Sequence, residues 1–357
     1  MTVTTRSSLQ IRMPLRVDPE QEIVARLIEA SGETGLQVDP VSIINFYVAL
    51  KSKPLAILAG PAQSGKIALV KSLAHVLTDD DYLRCQTLIG HPCWAARSPN
   101  VALFTEAQTR LNASKILALI EEAGKPGNAD KVFHACLTRI TPAELLGFFS
   151  EVAFQLSHGE IMRLPSIHLT EPIPYPPNLF LIGTMDTMHF DWWNADLLSM
   201  ATVIQWPAVE ANPATDDYRT QTVVGGEAEF LRSCVRSKKL ARRKLDQILG
   251  WRLRPLEPLR RVRELLEKDV IRHLPQPVMD EVMIYLANSW SRAGVGLFDL
   301  QTERNAMIAL DLVIAQTLLP HLSEPLSQSA TLIERWGELL GSQFPHSEAF
   351  LANLDRT

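Results

Sequence analysis

Short apolar segments alternate with longer amphipathic ones through the first 206 residues, and this alternation predicts strands and helices in turn. Two helix starts are marked by Asp18-Pro19 and Asp39-Pro40, because aspartate caps a helix and proline fits its first turn. Another long helix is predicted from Val101 to Ala123. Buried strands are predicted at Leu55–Ala59, Tyr82–Ile89, Lys131–Leu137, Asn178–Thr184 and Ala201–Trp206, with a hairpin over Ile161–Ile173. Strands that alternate with helices predict an α/β fold, a parallel sheet with helices on both faces.

The pattern changes after Pro207, where a polar segment leads into apolar spacing that is typical of helices only. Helices are predicted at Glu227–Leu249, Pro258–Arg272, Pro277–Ala293, Thr302–Leu319 and Thr331–Leu340. We therefore expect an N-terminal helical extension over residues 1–40, an α/β core over 41–210 and an all-helical domain over 211–357.

A glycine-rich turn separates the first predicted strand from an amphipathic helix. The turn reads Gly60-Pro61-Ala62-Gln63-Ser64-Gly65-Lys66-Ile67. Strand, G-x-x-x-x-G-K and helix make up the phosphate-binding P-loop, in which glycines let backbone N–H groups turn inward and the lysine reaches the outer phosphates. Gly60 to Ile67 are therefore the predicted nucleotide-binding residues, with ATP or GTP as the ligand.

The position after the lysine departs from this motif. A serine or threonine hydroxyl there ligates Mg²⁺, whereas Ile67 has no side-chain oxygen. That hydroxyl is needed to place the metal ion but not to bind the phosphates. Whether Mg²⁺ accompanies the nucleotide is left open, and no residue is assigned as a metal ligand.

Composition is that of an ordinary globular protein, with 357 residues, 46% hydrophobic, 21% charged and a net charge of −5. No apolar run reaches the roughly 18 residues of a membrane span, and the first residues lack the apolar core of a secretory signal. The four cysteines, Cys85, Cys93, Cys136 and Cys234, lack metal-binding spacing, which favours a reducing compartment. We expect a cytoplasmic protein with no membrane partner.

Residues 232–263 carry the strongest charge feature, with twelve lysines and arginines against Asp246 and Glu257. Because the whole chain has a net charge of −5, the remainder is strongly acidic. Such a segment binds nucleic-acid phosphates or an acidic protein surface, or it lies solvated against the acidic part of its own chain. These alternatives stay open from the sequence.

The chain resembles the AAA+ ATPases of the McrB-like and dynein-related (MoxR-type) branch over about residues 40–355. Besides the P-loop, the resemblance rests on Asn178-Leu179-Phe180-Leu181-Ile182-Gly183-Thr184-Met185-Asp186-Thr187, which is similar to the sensor-1 strand of McrB relatives. Ala309–Asp311 through Gln316–Pro320 is similar to their lid helix. The resemblance implies a P-loop αβα sandwich followed by a helical lid, and a subunit that works in a ring or hetero-complex.

The family also has a strand that ends in Asp-Glu, where the aspartate supports Mg²⁺ and the glutamate polarises the attacking water. If that strand is Val132–Leu137, the two acidic positions hold Thr138 and Arg139. A rival register uses Leu117–Glu122 and makes Glu121 and Glu122 the catalytic acids, although this segment also resembles the end of a helix.

Two further family positions differ. Sensor 1 holds Asp186 where asparagine is usual, and an anion there repels a terminal phosphate unless it is protonated or paired. The segment Asp196–Thr202, which is similar to the family's arginine-finger region, contains no arginine. Arg304 is a candidate sensor-2 arginine by the same resemblance.

These departures suggest a nucleotide-binding subunit of an oligomer or hetero-complex that has lost most or all hydrolysis and uses binding for assembly. Two alternatives remain, an active ATP- or GTP-hydrolysing motor that acts on DNA or a protein, and a scaffold that binds no nucleotide. The candidate catalytic residues are Asp186, Glu121, Glu122 and Arg304.

Overall fold

The computed structural model describes residues 18–79, 81, 83–89, 106–140, 161–162, 173–186, 201–209, 218–250, 257, 259–261, 264, 276–321, 334–338 and 343–354. Residues 187–200, which contain most of the region compared with the arginine finger, lie outside this part of the chain, as does Cys93. Most of the predicted helix Pro258–Arg272 lies outside it too.

Five parallel strands form the central sheet, as the sequence predicts. In chain order the strands are β1 (Leu55–Ala59), β2 (Cys85–Ile89), β3 (Phe133–Thr138), β4 (Ile161–Met162), β5 (Ile173–Pro174), β6 (Leu179–Met185) and β7 (Thr202–Gln205). The sheet has the order β2-β3-β6-β1-β7, while β4 and β5 pair with each other as an antiparallel hairpin. β1 therefore lies between β6 and β7, and Ala59 is in register with Met185 and Gln205. The loops that follow these three strands meet at one edge of the sheet, the usual place for a ligand in such folds.

The helices described alongside these strands are α1 (Pro19–Glu33), α2 (Pro40–Ser52), α3 (Lys66–Thr78) and α4 (Glu106–Ala123). The caps predicted for α1 and α2 are confirmed. The Asp18 carboxylate accepts the backbone N–H groups of Glu20 and Gln21, and Asp39 accepts that of Val41 at 2.9 Å. These local signals act before any tertiary contact is made, which is why the sequence locates the helix starts correctly.

Within the described residues of the C-terminal part, the regular elements are helices, joined by turns and by one isolated β-bridge. These helices are α5 (Gly226–Ser233), α6 (Lys238–Leu249), α7 (Gln276–Asn288), α8 (Thr302–Val313, continued by a π-helical turn at Ile314–Leu318) and α9 (Pro345–Leu354). Two expectations are wrong here. The single helix predicted from Glu227 to Leu249 is interrupted, since Ser237 caps α6 and both backbone groups of Val235 bond to the Asn288 side chain. The helix predicted to Ala293 ends at Asn288, because the next residues form a bridge between Trp290 and Gly296.

Two hydrophobic cores flank the sheet. Along β1, Ala56 and Leu58 belong to a core shared by α1, α2, α3 and the C-terminal helices, whereas Leu55, Ile57 and Ala59 belong to the core beneath α4. Coverage of both faces explains why this strand is apolar throughout. α1 packs against α3, and the C-terminal helices share their core with α1–α3. The domain limits at residues 40 and 210 stay predictions.

No helix among the described residues combines the length and the apolar character needed to cross a membrane.

A buried ion pair joins three parts of the chain. The amine of Lys51 in α2 pairs with the carboxylate of Glu20 in α1, and both residues are fully buried. Lys51 also donates to the carbonyl oxygens of Asn288 at 3.0 Å and Trp290 at 3.3 Å, while the Tyr47 hydroxyl donates to Glu20 at 3.2 Å. A buried charge is tolerated only when it is paired and hydrogen-bonded, as it is here.

His134 is a buried histidine in β3. Burial lowers its pKa from 6.5 to about 4, and the nearby charge of Arg84 acts in the same direction. Its backbone N–H donates to the Arg84 carbonyl oxygen at 2.9 Å, and its Nδ1 atom has no hydrogen-bond partner among the described residues. His134 is therefore neutral in the folded protein at neutral pH.

We expect His134 to make the protein acid-sensitive. Between pH 6.5 and about 4 the unfolded chain binds a proton that the folded chain excludes, so stability falls as the pH is lowered. A pKa shift of this size corresponds to about 3 kcal/mol lost across that interval. Urea unfolding at pH 7 and pH 5 measures the effect, and His134→Phe is expected to have the shallower pH dependence. Equal pH dependence in the two proteins would contradict the assignment.

Candidate nucleotide-binding site

The loop between β1 and α3 has the backbone shape that its glycines allow. Gly65 caps α3 with a φ of +76° and Gln63 has a φ of +60°, both in the left-handed region. No side chain caps α3 in the part of the chain that the structure describes, so its first N–H groups are not occupied by a cap. Loop and helix start together form a backbone concavity of the kind that binds anions.

The amine of Lys66 lies inside this loop. It donates to the Gly60 carbonyl oxygen at 2.8 Å and to that of Pro61, and it lies 3.1 Å from the Ser64 hydroxyl. Only 8% of Lys66 is exposed. Burial lowers the pKa of Lys66, and the negative charge of Asp186 acts in the opposite direction. The structure therefore brings two sequence-predicted site residues, Lys66 and Asp186, close enough to interact electrostatically.

Trp206, which directly follows β7, contacts this loop and the end of β1. Its backbone N–H donates to the Ala59 carbonyl oxygen at 2.7 Å, and its indole N–H donates to the Ser64 carbonyl oxygen at 2.6 Å. A Cβ atom at Gly60 would lie against the Trp206 carbonyl oxygen and 2.9 Å from Trp206 Cβ. The loop thus needs glycine at position 60 because the Trp206 backbone approaches it closely. Trp206 is not among the site residues that the sequence predicts, and its one sequence signal is an aromatic residue at the end of a strand.

The carboxyl end of β3 carries no acid. Thr138 is the last residue of this strand and its hydroxyl donates to the Leu88 carbonyl oxygen at 3.0 Å. Arg139 follows with a φ of +59°, and its backbone N–H donates to the Thr184 hydroxyl at 3.3 Å. The strand therefore lies where the first of the two registers places it, and Thr138 and Arg139 stand at its carboxyl end.

Among the described residues, the oxygen atoms at this edge of the sheet do not supply the Mg²⁺ ligands that a P-loop site normally has. Ile67 is 40% exposed and has no oxygen, and the end of β3 offers a threonine whose hydroxyl is already bonded. Asp186 remains as a carboxylate at this edge of the sheet. Among the described residues no group of three or more potential ligands (histidine, cysteine, aspartate or glutamate) is arranged to hold a metal ion.

Glu121 and Glu122 lie in helix α4, so the rival strand register at Leu117–Glu122 is wrong. The side-chain amide of Asn128 donates to the backbone carbonyl oxygen of Glu122 at 2.9 Å and to its carboxylate at 3.0 Å. Asn128 in turn accepts from Asn178, which directly precedes β6. The two glutamates therefore lie near the amino ends of the strands, at the edge opposite to Lys66, and do not join the site around the loop.

Arg304 lies in the first turn of α8. Its guanidinium pairs with Asp299 at 3.2 Å, and 70% of the side chain is exposed. It lines a cavity of about 450 Å³ that also contains Val41, Met307 and His346. Arg304 therefore lies beside this cavity, where its described ion-pair partner is Asp299, and its role as a sensor-2 arginine stays a prediction.

The structure divides the basic segment into internal and exposed cations. Lys244 donates to the Trp290 carbonyl oxygen at 2.8 Å, and burial, together with the charge of Lys51, lowers its pKa to about 7. Arg236 donates to the Pro177 carbonyl oxygen at 2.7 Å. Others form ion pairs, as Lys238 does with Asp280. Four are exposed and have no ion-pair partner within the described residues, namely Arg232, Lys239, Arg242 and Arg243. The charge count alone therefore overstates the cationic surface.

Neither a scan against models of protein families nor a search among curated proteins finds a match to this chain.

Proposed function

We propose that this chain binds ATP or GTP through Gly60–Ile67, as an AAA+-type subunit with little or no hydrolysis. The observation that carries the proposal is the buried Lys66 amine inside a loop that connects the central strand β1 to α3. Its amine is held by oxygen atoms of its own loop, 2.8 Å from Gly60 O and 3.1 Å from Ser64 Oγ. A phosphate group offers a desolvated ammonium a stronger, charge-assisted partner than these neutral oxygens.

The low hydrolysis follows from what the site lacks. Ile67 supplies no hydroxyl to a metal, and Thr138 and Arg139 supply no carboxylate at the end of β3. General-base activation of water by such a carboxylate contributes about 10²- to 10⁴-fold to a rate. Without a ligand for the metal and without a general base for water, the site binds nucleotide but hydrolyses it inefficiently.

A turnover assay on the purified chain tests this proposal. We expect far less than about 1 turnover per second, a rate ordinary for an enzyme, with ATP or GTP and Mg²⁺. Turnover at that rate, abolished by Lys66→Ala, would instead establish the active motor. Titration with labelled ATP and GTP, with and without Mg²⁺, tests binding itself. If neither nucleotide binds, the remaining hypothesis is a scaffold that binds no nucleotide.

Assembly into an oligomer or hetero-complex is the second part of the proposal. The four exposed cations of the basic segment lie in a chain whose net charge is −5, so the rest of a second copy carries net negative charge that can attract them. Reversal of Lys239, Arg242 and Arg243 to glutamate is expected to weaken association at low salt. Lys244 is left unchanged in this variant because it is an internal hydrogen-bond donor.

Light scattering with analytical ultracentrifugation, at low and high salt, measures the association. A protein that stays monomeric at low salt with nucleotide present would refute self-assembly. Binding of a labelled single-stranded DNA that the triple reversal abolishes would instead identify nucleic acid as the partner of these cations.

A further inference from the structure

Trp206 contacts both the loop that carries Lys66 and the strand that precedes this loop. Its backbone bonds to the end of β1, its indole bonds to Ser64 O, and its backbone atoms occupy the space beside Gly60. Trp206 itself is buried, with 3% exposed. The buried indole N–H thus finds its acceptor in the loop.

The indole bond sets the direction of a loop N–H group. Ser64 O and the N–H of Gly65 belong to one planar trans peptide, so they point in opposite directions. When the indole holds Ser64 O at 2.6 Å, the Gly65 N–H is held facing away from Trp206. A carbonyl oxygen turned the other way would present negative charge to an anion instead. The Ser64 hydroxyl donates to the Pro61 carbonyl oxygen at 2.7 Å and so closes the loop on itself.

Trp206 also belongs to the core that contains the C-terminal helices. The strand that precedes it, β7, packs against the π-helical turn Ile314–Leu318. π-Helical turns inside α-helices are frequent at functional sites. The same residue thus contacts the loop and lies in the core that these helices share.

We propose that Trp206 is a positioning residue that holds the Gly60–Lys66 loop in the shape that accepts phosphate, an inference that rests on the proposed nucleotide site. It touches the loop and not the phosphate, so its loss weakens binding through the orientation of the Ser64–Gly65 peptide.

The test compares Trp206→Phe with Trp336→Phe. Each variant removes one indole N–H from a buried tryptophan, but Trp336 Nε1 has no hydrogen-bond partner among the described residues. We expect Trp206→Phe to weaken binding of ATP or inorganic triphosphate about 5- to 20-fold, the effect of losing one hydrogen bond and leaving a buried carbonyl unsatisfied. Trp336→Phe is expected to bind like the unchanged protein. Equal affinities for all three proteins would overturn the proposal.

A ligand-free measurement separates this proposal from the proposed function. Hydrogen exchange of the Leu69 amide, which donates to the Gly65 carbonyl oxygen at 3.1 Å, is expected to speed up about tenfold or more in Trp206→Phe and to stay unchanged in Trp336→Phe. A merely structural role would raise exchange across the core to the same extent in both variants, and that result would overturn the positioning role. If the unchanged protein binds no triphosphate but the exchange result holds, the nucleotide proposal fails and the loop-positioning role stands. In a ¹⁵N-tryptophan sample, the indole signal lost in Trp206→Phe is also expected to shift on ligand addition.

Discussion

Replacing Lys66 with alanine is expected to weaken ATP or GTP binding about 100-fold, because the amine makes the charge-assisted contacts to phosphate in the proposed site. Folding is expected to be unaffected or slightly more favourable. Burial lowers the pKa of Lys66, so the folded state disfavours its charged form despite the attraction of Asp186. Isothermal titration with each nucleotide, alongside thermal unfolding, measures both effects.

Two comparisons make this result specific. Lys71→Ala removes another lysine from the same helix, α3, and is expected to leave affinity within about twofold. EDTA is expected to matter less than Lys66→Ala, since Ile67 offers the metal no hydroxyl. Affinity that collapses in EDTA while tolerating Lys66→Ala would contradict the proposed site.

Ile67→Thr is expected to strengthen the dependence of nucleotide affinity on Mg²⁺ if Asp186 can support the ion.

Glu20→Gln is expected to destabilise the protein by about 3–5 kcal/mol, the usual cost of leaving one member of a buried ion pair without its partner. Lys51 is fully buried, and its other partners are two neutral carbonyl oxygens at 3.0 and 3.3 Å. Urea unfolding followed by circular dichroism measures the loss. Since the pair joins α1 and α2 to the segment after α7, hydrogen exchange is expected to rise in all three.

The exposed pair Arg26–Glu29, at 3.2 Å, provides the matched control. Glu29→Gln makes the same chemical change where both side chains are solvated, 37% and 54% exposed, and is expected to cost less than about 1 kcal/mol. Replacing both buried partners, as in Glu20→Gln with Lys51→Met, is expected to recover most of the stability. A Glu20 variant no less stable than the Glu29 variant would show that the buried pair is unimportant.

The local features of this protein could be predicted from its sequence. Asp18-Pro19 and Asp39-Pro40 cap helices through atoms a few residues apart, so no distant contact is needed to locate α1 and α2. The apolar run Leu55–Ala59 is covered on both faces, and its lack of alternation already indicated that. The loop at Gly60–Lys66 and the absence of acidic residues at Thr138 and Arg139 can likewise be read from residues that are adjacent in the chain.

The tertiary structure alone decided which charged residues are internal and which lie at the loop. Lys51 and Lys244 resemble the solvated lysines around them in sequence, yet both bond to the Trp290 carbonyl oxygen, more than forty residues away. Hydrophobic periodicity also predicted a single helix across α5 and α6. It carries no information about the Asn288 side chain, which bonds to the backbone of Val235 between the two helices. Trp206 reaches Ser64 only because β7 lies beside β1 in the sheet. Such contacts depend on strand order and helix packing, which hydrophobic spacing does not encode, whereas caps and loops depend on neighbours in the chain.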